Sequence, residues 1–166
     1  MLIRPAVVAD STAILEIYNH EVRTSLVTFD LVPRTEAEQR TWITDRSGAH
    51  AVLVAQDDDA GPSGAVVGFG ALSPYRERPG YSTTVEDSVY VHPDHRGRGV
   101  GRLLLGALVD TATAHGFHAL MAKIVGGHEA SITLHAAAGF EVVGHEREVG
   151  RKFGKWLDVV LMERLL

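Results

Sequence analysis

The chain has 166 residues, of which 45% are hydrophobic and 22% charged, and carries a net charge of −5 at pH 7. These values fit one globular domain able to bury its own core, and they argue against a disordered or fibrous chain and against a general nucleic-acid binder. There is no cysteine, which excludes disulfides, thiolate metal sites and a cysteine nucleophile.

The opening "MLIRPAVVADS" lacks a basic region followed by an apolar core, so no secretory signal is expected. No apolar run approaches the roughly 20 residues of a membrane-spanning helix, and a cytoplasmic protein with no membrane partner is expected. "MLIRPAVVAD" reads as a short strand closed by Pro5, with Asp10 as the N-cap of a helix carrying Ile14, Ile17 and Tyr18 on one face. "RTEAEQRTWI" holds a capping box, Thr35 with Glu38, which predicts a second helix. "AVLVAQ" and "AVVGFGAL" read as strands joined by a hairpin through "DDDAGPSG", whose Asp57–Asp59 run suits a solvated tip. "TTVEDSVYV" is the next strand. The helix that follows has Leu103, Leu104, Ala107 and Leu108 on its apolar face and ends near Gly116. "HALMAKIV" reads as a strand, and "GGHEASITLHAAAGF" as a loop entering a helix that stops at Gly139. "FEVVGHEREVG" and "KWLDVVLMERLL" close the chain as two strands, with Trp156 placed in core or interface. The order predicts a single α/β or α+β domain over residues 1–166 around one mixed sheet.

Between the strand ending at Val91 and the leucine-rich helix lies "RGRGVG", Arg96 to Gly101. Glycines accept positive φ and leave no Cβ in the way of a ligand. Consecutive N–H groups of such a loop form an anion-binding nest, and a helix starting there adds unpaired donors and its positive dipole end. Arg96, Arg98 and Arg102 add charge at the rim. The sum is a cradle for a pyrophosphate. It is not a P-loop, since "GRKFGKW" has the wrong spacing, and it is not GxGxxG, since the glycines run Gly97, Gly99, Gly101.

Arg96-Gly97-Arg98-Gly99-Val100-Gly101 resembles the RxxGxG/A motif of the GNAT superfamily of acyl-CoA-dependent N-acyltransferases. The "IRPA…AD…AILEIYN" opening, the "VEDSVYVHPDHRGRGVG" centre and "LHAAAGF" also follow that family's order. "TVEDSVYV", "ASITLHAAAGF" and "VGRKFGKWLDVVLM" are similar to the phosphinothricin and methionine sulfoximine acetyltransferase branch. The resemblance implies one GNAT-like domain with a mixed, mostly antiparallel sheet flanked by helices. It also implies acetyl-CoA as co-substrate, a small-molecule amine as acceptor, and a homodimer. It places the coenzyme's pyrophosphate on residues 96–101, and its pantetheine arm on the backbone of Val89, Tyr90 and Val91. His128, standing where relatives have asparagine, and Ser131 join the coenzyme contacts.

Acyl transfer from a thioester to an amine needs a base for the amine, a donor for the developing oxyanion and support for the leaving thiolate. Glu86, a partly desolvated carboxylate in the strand before the loop, suits the base and matches the branch's general base. By period-two alternation its neighbour Asp87 points to the opposite face. His135, standing where much of the superfamily has tyrosine, is expected to protonate the thiolate or hold the sulfur. The charged loop "SPYRERPGY" suits a guanidinium clamp on an acid group. By resemblance Tyr75, Arg76, Glu77 and Arg78 line the acceptor site together with Glu86, Asp87 and Ser88, with Phe29 as an apolar wall. Nine histidines are present, but "HPDH" and "HGFH" lack a completing carboxylate cluster, so no metal is expected. The reading is an N-acetyltransferase acting on the α-amine of a small amino acid or analogue. The alternatives are a protein N-terminal or lysine acetyltransferase, or a non-catalytic acyl-CoA-binding module.

Overall fold

The apolar segments along the chain are gathered into a single seven-stranded sheet. The computed structural model describes residues 1–46, 48–57 and 64–166. Its strands are β1 (Leu2–Pro5), β2 (Val52–Asp57), β3 (Ala65–Pro74), β4 (Thr84–Val91), β5 (Ala119–Val125), β6 (Glu141–Lys152) and β7 (Lys155–Leu165). Its α-helices are α1 (Ser11–Thr24), α2 (Glu36–Thr44), α3 (Val100–Ala114) and α4 (Glu129–Ala137). The seven strands lie in the order β1-β2-β3-β4-β5-β7-β6. Every neighbouring pair is antiparallel except β4 and β5.

The helices form where the local signals place them. In α2, the Thr35 hydroxyl accepts from the Glu38 N–H at 3.2 Å and the Glu38 carboxylate accepts from the Thr35 N–H at 2.7 Å, which satisfies two orphan donors. Asp10 departs from its expected role. It precedes α1 but makes no side-chain cap there. Its carboxylate instead accepts from the Val7 N–H and from both terminal nitrogens of Arg4, each at 2.8 Å, because a preceding 3-10 turn at Val8–Asp10 brings those groups closer. Burial alone would raise Asp10, but Arg4 and Val7 hold it below its ordinary value.

Strand alternation divides the core between the two sheet faces. One face of the sheet packs Val52, Val54, Phe69 and Ala71 under Ile14, Ile17, Tyr18 and Val22 of α1 and Ile43 of α2. The other packs Leu53, Ala55, Val85, Leu120 and Ile124 under α3. The buried stripe of α3 is Leu104, Leu105, Leu108, Val109 and Ala112, while Leu103 is exposed. The stripe is therefore turned by one residue from the expected face, because the helix meets the sheet across a broad surface rather than a narrow seam. Asp57 is not at a solvated tip: it is the last residue of β2 and is buried. The remainder of that expected hairpin turn, 58–63, lies outside the described residues. Trp156 is 60% exposed rather than core, with the Arg151 guanidinium 5.1 Å from its ring centroid. No helix among the described residues is long and apolar enough to cross a membrane.

The feature that places the site is the brevity of the parallel pairing. β4 pairs with β5 only through Thr84, Val85 and Glu86. β4 then runs on to Val91 beside β3, and β5 runs on to Val125 beside β7. Beyond Glu86 the two strands have parted, and the free end of β4 leads through a 3-10 turn at Pro93–His95 to the loop 96–99 and the start of α3.

Truncating Leu104, which is fully buried between α3 and the sheet, is expected to destabilise the fold by about 2–5 kcal/mol in the Leu104→Ala variant. The midpoint of urea denaturation measures this.

Candidate active site

The loop after β4 has the backbone its glycines suggest. Gly97 and Gly99 take φ of +72° and +83°, and a Cβ at either would meet nothing within 4 Å. Glycine is used there for its conformation and not to relieve crowding. Gly101 differs: its Cβ would lie 3.3 Å from Leu134 of α4, so the start of α3 is packed closely against α4. Gly99 is the N-cap of α3 and offers no side-chain cap. The first-turn N–H groups of this 15-residue helix are thus left for an anion, at the positive end of its dipole. Of the expected rim arginines, Arg98 and Arg102 are exposed, with an Arg98 nitrogen 3.1 Å from His95 Nδ1. Arg96 is turned elsewhere. Its guanidinium pairs with the buried Glu21 of α1, and its Nε donates to the Val91 carbonyl at 3.3 Å. Its charge is matched inside the protein before any ligand arrives.

Behind the loop, the ladder decides which backbone groups face the opening. The Leu72 N–H donates to the carbonyl of Ala51, just before β2, and the His92 N–H donates to Val67 on β3. Alternation along β3 and β4 then sets Ser88 opposite Ala71, and Tyr90 opposite Phe69, as hydrogen-bonded pairs. The N–H and C=O groups of Val89 and Val91 are turned to the side that β5 has left. Tyr90 therefore departs from the expected coenzyme contacts: its backbone belongs to the β3 ladder, and its ring stacks on Phe69 at 5.1 Å.

Glu86 shares its face of β4 with Ser88 and Tyr90, opposite to Val85 and Asp87. Its carboxylate meets the Lys123 ammonium at 2.7 Å, with side chains 27% and 42% exposed. The Lys123 ammonium lies 5.2 Å from the ring centroid of Tyr75. Arg76 donates to the Tyr75 and Tyr81 hydroxyls at 3.2 and 3.3 Å and lies within 5.1 Å of both ring centroids. Tyr75, Arg76 and Glu86 are thus linked through Lys123, while Glu77 and Arg78 are exposed on the same loop. Phe29 packs on β6: a Cβ at Gly150 would fall 2.5 Å from its ring. Its loop is tied to β6 again by the buried Lys152, whose ammonium donates to the Thr28 carbonyl at 2.8 Å.

Asp87 and His135 do not occupy their expected places. Asp87, expected among the acceptor contacts, is buried on the α4 side of β4. There its Oδ2 accepts from His135 Nε2 at 3.0 Å. His135 Nδ1 donates to the Ser131 carbonyl at 2.7 Å. A carboxylate and a carbonyl have no proton to offer, so both ring nitrogens donate and the ring is an imidazolium. Burial opposes that charge, but Asp87 and the Ser131 carbonyl outweigh it and hold His135 above its ordinary value. With its side chain 5% exposed and both nitrogens engaged, His135 braces α4 against β4 rather than facing a thiolate. Asp87 Oδ1 is buried with no hydrogen-bond donor. His128, at the N-cap of α4, is half-buried; burial, then the charges of Arg96 and His135, lower it against the opposing pull of Glu21. It is neutral at pH 7. Among the described residues no group of three or more His, Asp or Glu side chains is placed to hold a metal.

Comparison with known proteins fits this geometry. Residues 14–140 match the model of the acetyltransferase (GNAT) family. The chain belongs to the GNAT family of acetyltransferases. It is 43% identical to a phosphinothricin N-acetyltransferase of Streptomyces coelicolor, across 99% of this chain and 95% of that protein. A ribosomal-protein-alanine N-acetyltransferase from Brucella melitensis superposes with a TM-score of 0.95 at 38% identity over the whole of both chains. A phosphinothricin acetyltransferase from Sinorhizobium meliloti, solved in complex with acetyl-CoA, superposes with a TM-score of 0.93 at 40% identity over 99% of this chain and 88% of that one.

Three contacts of this GNAT domain were missed by sequence reasoning: Lys123 on Glu86, Glu21 on Arg96, and Asp87 on His135. Lys123 is the one charged residue in "HALMAKIV", a signal that was available. Glu21 falls in register with Ile14, Ile17 and Tyr18 on the apolar face of α1, which marks a carboxylate needing a buried partner. The Asp87–His135 pair spans 48 positions and has no local signal.

His135 is raised in the folded chain, so the stability it contributes is fully present below its unfolded value, near 6.5, and is lost as pH rises through the higher folded value. Asp87→Asn removes the charge that raises it. The stability gap between native and Asp87→Asn protein is expected to be widest near pH 6 and to narrow toward pH 9, in denaturant unfolding at the two pH values.

Proposed function

We propose that the chain transfers the acetyl group of acetyl-CoA to the α-amine of a small amino acid or analogue of the phosphinothricin or methionine sulfoximine type, with Glu86 as general base. One observation carries this reading. The gap left where β4 parts from β5 has uncapped helix donors at one end and, at the other, Glu86 beside the Tyr75–Arg76 loop. A ligand with an anionic diphosphate and an extended amide-bearing arm suits that gap: the diphosphate on the Gly97–Gly101 loop, the arm beside the edge of Val89 and Val91 as an added strand. When bound, acetyl-CoA supplies an activated acyl thioester. Arg98 and Arg102 add charge to the diphosphate end. His128, neutral at pH 7, offers a ring nitrogen beside the loop, and Ser131 lies one turn further along α4.

An α-ammonium titrates near pH 8, so a carboxylate within reach is enough to take the proton from the attacking nitrogen, directly or through one water. A Val89 or Val91 N–H, facing the gap, polarises the thioester carbonyl as its oxygen gains charge. The C–N bond forms as the C–S bond breaks. Arg76, held by the hydroxyls of two tyrosines, presents a guanidinium fork to an acid group. Two findings support the acceptor class: the phosphinothricin acetyltransferase similarity, and the short charged loop, which shapes a closed pocket better than a peptide groove. The likeness to a ribosomal-protein-alanine acetyltransferase supports a second reading, transfer to a protein N-terminus.

Purified protein with acetyl-CoA is expected to release thiol with phosphinothricin, methionine sulfoximine or another free amino acid, and to do so faster than with peptides beginning in alanine. Faster turnover of the peptides reverses the order of the two readings. No turnover of any amine, with acetyl-CoA bound, leaves a binding module. Glu86→Gln is expected to lower kcat at least about tenfold while calorimetry finds its acetyl-CoA affinity unchanged. Undiminished kcat removes Glu86 from the chemistry.

A further inference from the structure

The general base proposed above is already occupied. The Lys123 ammonium sits 2.7 Å from Glu86, where an acceptor's own ammonium would have to come. Lys123 is the single exposed residue of an otherwise buried β5. It shares a face with Glu86, since Glu86 is in register with Met121, two residues before it. Its stem leads to Tyr75, and the other face-to-ring cation on Tyr75 is Arg76. Two cations therefore converge on one aromatic ring beside one carboxylate.

An incoming amine must either displace Lys123 or meet a carboxylate whose charge is already neutralised. Displacement is feasible, because Lys123 is 42% exposed and swings on a flexible four-carbon stem. What it leaves behind depends on the acceptor. An α-amino acid carries its acid group one carbon from its amine. When its ammonium takes Glu86, its carboxylate arrives beside the released Lys123 and Arg76, and one ion pair is exchanged for two. An amine without an acid group exchanges one ion pair for one, and Lys123 is stranded without a counter-ion. The same arrangement favours acceptors with a second anionic group.

We propose that Lys123 is the specificity-determining residue of this site: it holds Glu86 in the free protein and reads the acid end of the acceptor by exchanging ion-pair partners. This rests on the amino-acid reading of the acceptor.

The test compares native protein, Lys123→Met and Lys123→Arg on methionine sulfoximine and on its carboxamide, with acetyl-CoA and thiol release. Comparing each variant with native on the same acceptor cancels the different basicities of the two amines. For Lys123→Met, kcat/KM on the acid is expected to fall at least about tenfold, the range for a lost bond between charged groups, while the carboxamide changes by less than about threefold. Lys123→Arg is expected to restore most of the acid preference. Acetyl-CoA titration by calorimetry shows that the variants are folded and that the coenzyme end is untouched. If Lys123→Met keeps the native acid preference, or loses acid and carboxamide turnover in parallel, the role assigned to Lys123 is overturned while the acceptor reading stands. If native protein acetylates peptides beginning in alanine faster than any free amino acid, the acceptor reading is overturned, and this proposal with it.

Discussion

Strands β4 and β5 are held together for three register pairs and then separate, and the rest of the site follows from that separation. Had the parallel pairing continued, the backbone groups of Val89 and Val91 would have been spent on β5, and no extended ligand could use them. Backbone polar groups without partners are costly inside a protein, so an open edge in the middle of a sheet must be held open by its surroundings. Here β4 is tied to β3 along its other edge, β5 is tied to β7 along its whole length, and α4 is fastened across the gap. The Asp87–His135 pair, nearly inaccessible to solvent, joins α4 to β4 at the residue next to the last paired one. Gly101 brings α3 within van der Waals contact of Leu134. The cleft is thus bounded by rigid elements, the condition under which a binding geometry survives without its ligand.

Charge is sorted along the same cleft. A chain with a net charge of −5 exposes Arg98 and Arg102 beside the start of α3, exposes Arg76 on the loop after β3, and sets Lys123 on Glu86. Buried charges are paired internally instead. Glu21 neutralises Arg96 and Asp10 pairs with Arg4. The distinction is physical: an ion in a low-dielectric setting needs a permanent partner, whereas one in contact with solvent can wait for a ligand. Arg96, although its side chain is 53% exposed and it opens the motif that suggested the site, is claimed by the buried Glu21.

The fold was legible in the sequence because its signals are short in range. The capping box at Thr35 and Glu38, the apolar run of Val52 to Ala55 and the glycines after α3 and α4 act within a few residues, and element order was recovered in full. Where local rules were followed too literally, a neighbour from elsewhere had won: Asp10 gave up its cap to Arg4, and the α3 stripe turned toward a sheet wider than a helical seam requires. The candidate site was read from signals of the same short range. The Gly97–Gly101 loop, Glu86 and the Tyr75–Arg76 loop each announce themselves by residue type and position.

By itself the sequence determined which elements form and in what order, and it marked the residues of the candidate site, since propensity, capping and glycine conformation are properties of adjacent residues. Only the tertiary structure decided who pairs with whom. It turned Arg96 to Glu21, put Lys123 on Glu86, closed His135 between Asp87 and Ser131, and took Tyr90 out of the open edge. Those outcomes depend on strand register and on which helix crosses which strand, and Coulomb and hydrogen-bond energies fall off within a few ångströms, a distance that separation along the chain does not report.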